Sequence, residues 1–142
     1  MDHPDDNFTR FPVETSGGIK FINLNGLDYC RSCGSYTDFI MEDPSENFDS
    51  SYPLGEWERR LPRGRFCRIS DSHLVNKDKI DRYMNAKDGT VILKKSGEEL
   101  TVSRLRKKNF FFEMGYAREV NKGKKHKGVF SFRVLGFCLN ID

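Results

Sequence analysis

The sequence predicts a mainly β domain, a meander of short strands stacked as a sandwich or as small sheets, with one or two short helices. Three observations predict it. Runs rich in β-branched and aromatic residues recur about every 8–12 residues. The dipeptides Asn25-Gly26 and Asp88-Gly89, whose residues tolerate the positive φ of tight turns, fall between such runs. Only two segments repeat apolar residues at a helical period. The 142 residues leave room for one domain with its own core and not for two. Thirteen per cent aromatics, with Phe 12, supply the apolar mass and exclude a disordered chain.

In chain order, residues 1–11 read as a flexible acidic arm. Ile19–Ile22 and Leu27–Cys30 are strand-like and separated by the Asn25-Gly26 turn. After Arg31 to Ser35, Tyr36–Met41 is again rich in β-branched and aromatic residues, and Asp43–Ser51 is a loop by composition. Leu54, Trp57 and Leu61 recur at i, i+3 and i+7 between Pro53 and Pro62, which predicts two helical turns with one apolar face. Strands resume at Phe66–Ile69 and His73–Asn76, with Ser70-Asp71-Ser72 as a polar hinge. Ile80–Asn85 and Thr90–Lys94 flank Lys87-Asp88-Gly89 as a hairpin, and Ser96-Gly97 turns the chain into Glu99–Val102. Ser103 is a good N-cap for a second helix over Arg104–Met114, with Leu105 and Phe112 forming its inner stripe.

A tail follows. Val129–Leu135 predicts a strand that must pair with an edge of its own sheet or with another copy of the chain. The Gly-flanked Lys122, Lys124, Lys125 and Lys127 either extend a phosphate footprint or form a solvated turn. No apolar run approaches the ~20 residues that cross a bilayer, and residues 1–18 lack a signal pattern, so a cytoplasmic protein without membrane contact is expected.

The net charge of +3 hides an asymmetry. Residues 1–58 carry three basic and twelve acidic residues, whereas residues 59–142 carry 21 basic and nine acidic. Either the second half presents a polyanion-binding surface, or the halves neutralise each other in the fold. Cys30, Cys33, Cys67 and Cys138 read as free thiols in a chain without an export signal. Cys30-x-x-Cys33 lacks the second close pair that a structural zinc site wants, and His3, His73 and His126 add no ligand set, so no metal and no cofactor is implied. No carboxylate–histidine constellation, nucleophile motif or phosphate-cradling glycine loop points to an enzyme.

The start of the second helix is unusual. Arg104, Arg106, Lys107 and Lys108 crowd an end where the helix dipole is already positive, each placement costing about 0.3–1 kcal/mol. Nothing in the helix compensates. An anion brought there meets free N–H groups and four cations together. The alternative is a solvated basic face partly neutralised by the acidic half.

The run from Phe66 to Lys77 resembles the F-x-R-[IV]-x-x-S-x-[LI]-[VI]-N signature of LytTR DNA-binding domains, the output modules of LytR/AlgR-type response regulators. Leu27-Asp28-Tyr29 followed by Gly34-Ser35-Tyr36-Thr37 is similar to that family's first strand and G-[NS]-Y-T loop. Gly97 to Arg104 is similar to its G-x-x-L-x-V-S-R element. The resemblance covers about residues 12–114, leaving 1–11 as the arm and 115–142 as a basic loop and apolar strand extension.

What the resemblance implies is an elongated domain of small stacked antiparallel β-sheets that binds DNA through loops entering successive major grooves of a bent duplex. It places Gly34, Ser35 and Tyr36, Asp71 after Arg68, and Arg104 with Arg106 within reach of bases. Ser70, Ser72, Ser103, Lys107 and Lys108 are then phosphate-side residues. Three features depart from the family pattern. Asp71 replaces a neutral polar or basic residue; it either accepts from cytosine N4 or holds the Ser70–Ser72 turn through nearby backbone, the role Asp commonly takes in such stretches. Tyr36 has a similar alternative, burial with only its hydroxyl near the surface. About eleven residues precede the match, too few for a phosphoacceptor receiver, so the expectation is either a stand-alone regulator controlled by abundance or by a separate partner protein, which Met1 favours, or a piece of a longer chain. The third departure is the tail.

The expected function is therefore a non-enzymatic, sequence-specific regulator of transcription, binding double-stranded DNA as a homodimer on paired half-sites. The alternative is a protein-interaction module whose basic half docks on an acidic partner.

Overall fold

The description of the computed structural model covers residues 10–116, 131–132 and 139–140. Between Arg10 and Thr101 ten strands form three antiparallel sheets, the mainly β architecture that the strand spacing predicts. β1 (Arg10–Thr15) and β2 (Gly18–Asn23) form a hairpin. The five-stranded sheet contains β3 (Leu27–Cys33), β4 (Tyr36–Met41), β5 (Phe48–Ser50), β6 (Phe66–Arg68) and β7 (His73–Asn76) in the order β5-β4-β3-β7-β6. β8 (Ile80–Met84), β9 (Thr90–Leu93) and β10 (Glu99–Thr101) form the third sheet, with β9 in the middle.

Burial follows the side-chain pattern. β4 turns Thr37, Phe39 and Met41 inward, the alternation of a half-covered strand, whereas central β3 buries Leu27 to Cys30 without a break. The helix α1 (Leu54–Arg60) follows Pro53 and stops at Leu61, before Pro62, whose ring disfavours helical backbone in the preceding residue. It buries Leu54 and Trp57. Trp57 is the hub of the core. Its ring meets Phe39 edge-on at 5.3 Å, Tyr52 at 5.9 Å and Phe11 at 6.4 Å, and the Arg60 guanidinium lies 5.1 Å from its centre. Val13, Ile22, Leu24, Leu61 and Leu74 complete the cluster.

Several elements differ from the sequence expectations. Asn25-Gly26 does not close a hairpin: Leu24–Gly26 is a single 3-10 turn, capped by Asn23 Oδ1 accepting from Asn25 N at 2.8 Å. It passes the chain from one sheet to another. Buried Asn76 secures that passage, its Nδ2 donating to the carbonyls of Leu24 at 3.2 Å and Leu27 at 2.8 Å. β1 went unread because Pro12 interrupts a short mixed run, yet a proline is tolerated in a two-stranded hairpin. It begins at Arg10, inside the expected arm, whose residues 1–9 lie outside the described residues. β5 replaces part of the expected Asp43–Ser51 loop. The Asp88-Gly89 turn is there, but inside a five-residue connection in which Lys87, Asp88 and Gly89 all have positive φ.

The chain divides into two compact units after Phe110. In the second, Ser131–Phe132 (β11) pairs antiparallel with Leu139–Asn140 (β12), and the rest of the expected strand over Val129–Leu135 lies outside the described residues. The lysine loop of residues 122–127 and Cys138 lie outside the described residues.

Because Trp57 joins α1 to the five-stranded sheet, Trp57→Ala is expected to lower unfolding free energy by about 3–5 kcal/mol, read as a lower denaturant midpoint with an unchanged slope.

Candidate nucleic-acid interface

The chain between β6 and β7 is held from both sides. Ile69 N donates to His73 O at 3.1 Å, and Ser70 Oγ accepts from the N–H groups of Ser72 and His73, each at 3.1 Å. Arg68 holds the carbonyls. Its side chain is only 15% exposed, and its guanidinium donates to Ser70 O at 2.8 Å, to Asp71 O at 2.9 Å and to the Glu58 carboxylate on α1. The planar fork suits such an array, which a lysine ammonium does not reproduce.

The Asp71 carboxylate takes no part in this turn, contrary to the expectation that it holds the Ser70–Ser72 stretch. Its side chain is 96% exposed, and the polar partner found for it is Arg106, at 3.5 Å. The physical reason is positional. The Ser70 hydroxyl already accepts from the free N–H groups and Arg68 already satisfies the carbonyls, which leaves Asp71 with no local donor.

Two other segments are bonded to this turn. Ser32 N, on β3, donates to Ser72 O at 2.9 Å, which brings the β3–β4 hairpin alongside. The hairpin turns at Gly34-Ser35; Gly34 has φ 64°, and Ser35 is not among the residues of positive φ, the sign pattern of a type II′ turn. Tyr36 follows and is 59% exposed, so its burial does not occur. On the other side Ser103 N donates to Ile69 O at 2.8 Å. Between the turn and β10 lies an open groove of about 420 Å³, lined by Ser70, Ser72 and His73 and by Glu99, Leu100, Thr101 and Ser103. Burial, and then the Arg31 charge, hold the His73 pKa below its ordinary 6.5, so the ring is neutral at neutral pH; its Nδ1 lies 3.2 Å from Ser70 Oγ.

After Ser103 the chain differs from the expected helix. Arg104–Arg106 is a 3-10 turn, Ser103 makes no side-chain cap bond, and α2 begins only at Lys107 and ends at Glu113. The tighter turn shifts the phase of the following side chains. Leu105 and Phe112, expected as the inner stripe, are 92% and 70% exposed, while Phe110 is buried with its ring 5.9 Å from that of Tyr83. Only Lys107 and Lys108 therefore stand at the start of the α-helix; Arg104 and Arg106 precede it.

The two halves neutralise each other in part. Arg60–Glu14, Arg68–Glu58 and Lys79–Glu42 join the basic half to the acidic half. Among the described residues, by contrast, Arg104, Lys107 and Lys108 have no ion-pair partner, and Arg106 has only the exposed contact to Asp71. Such an exposed pair contributes about 0–1 kcal/mol and yields readily to a stronger anion. The Lys107 stem passes close over Gly89. A Cβ on Gly89 would fall 2.8 Å from Lys107 Cε and 2.3 Å from Tyr83 Oη, and Gly89 has φ 107°, so glycine alone fits beneath it.

Cys30 is buried and Cys33 exposed. Three residues apart on β3, they point to opposite faces and cannot chelate one ion together. Burial pushes the Cys30 thiol pKa up.

The β3–β4 hairpin and the basic segment are thus each bonded to the turn, and all three lie within residues 17–114, which match the family model of the LytTr DNA-binding domain. The chain belongs to the LytTR family. Among solved structures it is similar in fold to the LytTr DNA-binding domain of a response regulator from Bacillus cereus, with a TM-score of 0.63 and 23% identity over 76% of this chain and 98% of that one. No curated protein matches the chain. Within the LytTR signature, Arg68 and Asn76 are internal fasteners in this protein, and the positions between them hold the outward-facing Asp71. Sequence reasoning missed Glu58 and Gly89, because the pairing of Glu58 with Arg68 and the closeness of Gly89 to Lys107 arise only when separate elements meet.

Arg68→Lys keeps the charge but loses the fork across the two carbonyls. It is expected to cost about 1–3 kcal/mol of stability and to speed amide exchange at residues 70–73, measured by denaturation and hydrogen exchange.

Proposed function

We propose that this chain is a non-enzymatic, sequence-specific regulator of transcription that binds double-stranded DNA. Membership of a DNA-binding family supports DNA as the partner. The observation that carries the finer reading is the set of cations without carboxylate partners, Arg104, Lys107 and Lys108, in the segment that follows Ser103, whose N–H is bonded to Ile69 at the start of the β6–β7 turn. Cations clustered in one short segment without carboxylate partners among the described residues fit a polyanionic ligand.

Two kinds of contact divide the residues. Arg104 and Arg106 suit guanine O6 and N7, and the carboxylate of Asp71, free of its own backbone, suits the cytosine N4 donor. Occupying the major groove draws Arg106 from its long contact with Asp71, freeing both groups for base edges. Lys107, Lys108 and the hydroxyls of Ser70, Ser72 and Ser103 suit phosphates, which fix position without reading sequence. Gly34, Ser35 and Tyr36 suit the neighbouring groove, and Arg68 acts as a positioning residue for the turn. In this reading two copies occupy paired half-sites, and a separate protein conveys the signal.

Selection of bound duplexes from a random pool tests the proposal by yielding a motif and its half-site spacing. Against the selected duplex, Arg104→Ala is expected to cost about 1–3 kcal/mol and to relax one base position. Lys108→Ala should weaken all sequences alike and reduce the slope of log K against log salt by about 0.9. Equal affinity for selected and random duplexes at two salt concentrations would instead favour a protein-docking module.

A further inference from the structure

Leu105 is 92% exposed, the highest value among the large hydrophobic side chains of the described residues. A single exposed leucine is ordinary on a protein surface. What sets this one apart is its place. It stands between Arg104 and Arg106 in a 3-10 turn whose backbone is tied at both ends, by Ser103 N to Ile69 O at 2.8 Å and by Arg106 N to Ser103 O at 3.0 Å. The fold does not use the side chain, since buried Phe110 takes the inward position after the turn. A fixed backbone therefore holds an apolar group outward in the middle of the cationic segment.

We infer that Leu105 is a specificity-determining residue that reads the 5-methyl group of a thymine. The inference rests on the DNA-binding reading above. Any duplex that engages Arg104 and Arg106 together must face the residue between them. Phosphates offer Leu105 no apolar partner and the C–H groups of the sugars are the same at every position, whereas the base edges of the major groove carry a distinctive apolar feature, the thymine methyl. A protein partner would also cover a leucine, but Arg104 without a carboxylate partner on one side, and Arg106 with only its long, exposed contact to Asp71 on the other, favour a polyanion over an apolar protein face. Leu105 then supplies the A·T discrimination that the two arginines, suited to guanine, do not.

The first arm of the test changes the DNA and not the protein. Each thymine of the selected duplex is replaced in turn by deoxyuridine, which preserves base pairing and removes only the methyl group. At one thymine per half-site the substitution is expected to weaken the full chain about fourfold, the size of one buried methyl or methylene. Leu105→Ala should bind the thymine and uracil duplexes alike, with the salt slope of the parent, and Leu105→Val should keep part of the discrimination. The inference is overturned if every uracil duplex binds like its parent, if the selected motif holds no thymine, or if Leu105→Ala discriminates as the wild type does. A change in self-association with Leu105→Ala and no change in thymine preference would likewise overturn it, in favour of a contact between copies. Failure to select any duplex at all would instead sink the DNA-binding reading itself.

Discussion

The Arg68 guanidinium is the fastening on which the presented surface depends. It joins α1, through Glu58, to the two carbonyls of the turn between β6 and β7. The hairpin tip and the basic segment are each bonded to that turn, through Ser32 and Ser103. Three segments far apart in sequence thereby share one support. Preorganisation of this kind lowers the ordering cost that binding would otherwise carry. It also separates labour among similar residues: Arg68 is held inside, and Arg104 stands outside with no carboxylate partner among the described residues.

Charge is sorted by the same logic. The acidic first half is not a uniform counterweight to the basic second half. Glu14, Glu42 and Glu58 each hold one particular cation. Those pairs join strand to helix or loop to 3-10 turn, where fixed geometry matters more than the modest energy of a partly exposed ion pair. The segment from Arg104 to Lys108 is outside that scheme apart from Asp71, which itself faces solvent.

Much of this was legible in the residues. Strand spacing and turn dipeptides marked most of the strands, and Leu54, Trp57 and Leu61 between two prolines marked α1 with its buried face. The errors share a cause. Asn25-Gly26 reports that the chain turns but not which strands then pair, because pairing is settled by distant partners such as Asn76. The apolar period through Leu105 and Phe112 assumed a continuous α-helix, and a single 3-10 turn rotated both into solvent. Asp71 was read by composition as a turn-former, when its neighbour Ser70 had the better geometry and Arg68 reached back over the carbonyls. The resemblance to LytTR domains marked the segments that adjoin, while the roles within each segment emerged only from their bonds.

The central claim is that this shared edge meets DNA as one surface. Amide chemical shifts of the full chain, followed as the selected duplex is titrated in, test it most directly. The account predicts the largest changes at residues 34–36, 70–73 and 103–108, with α1 and the β1–β2 hairpin nearly unmoved. Changes centred on the exposed Ile19 and Phe21 of β2, with the segment from Arg104 to Lys108 silent, would contradict it.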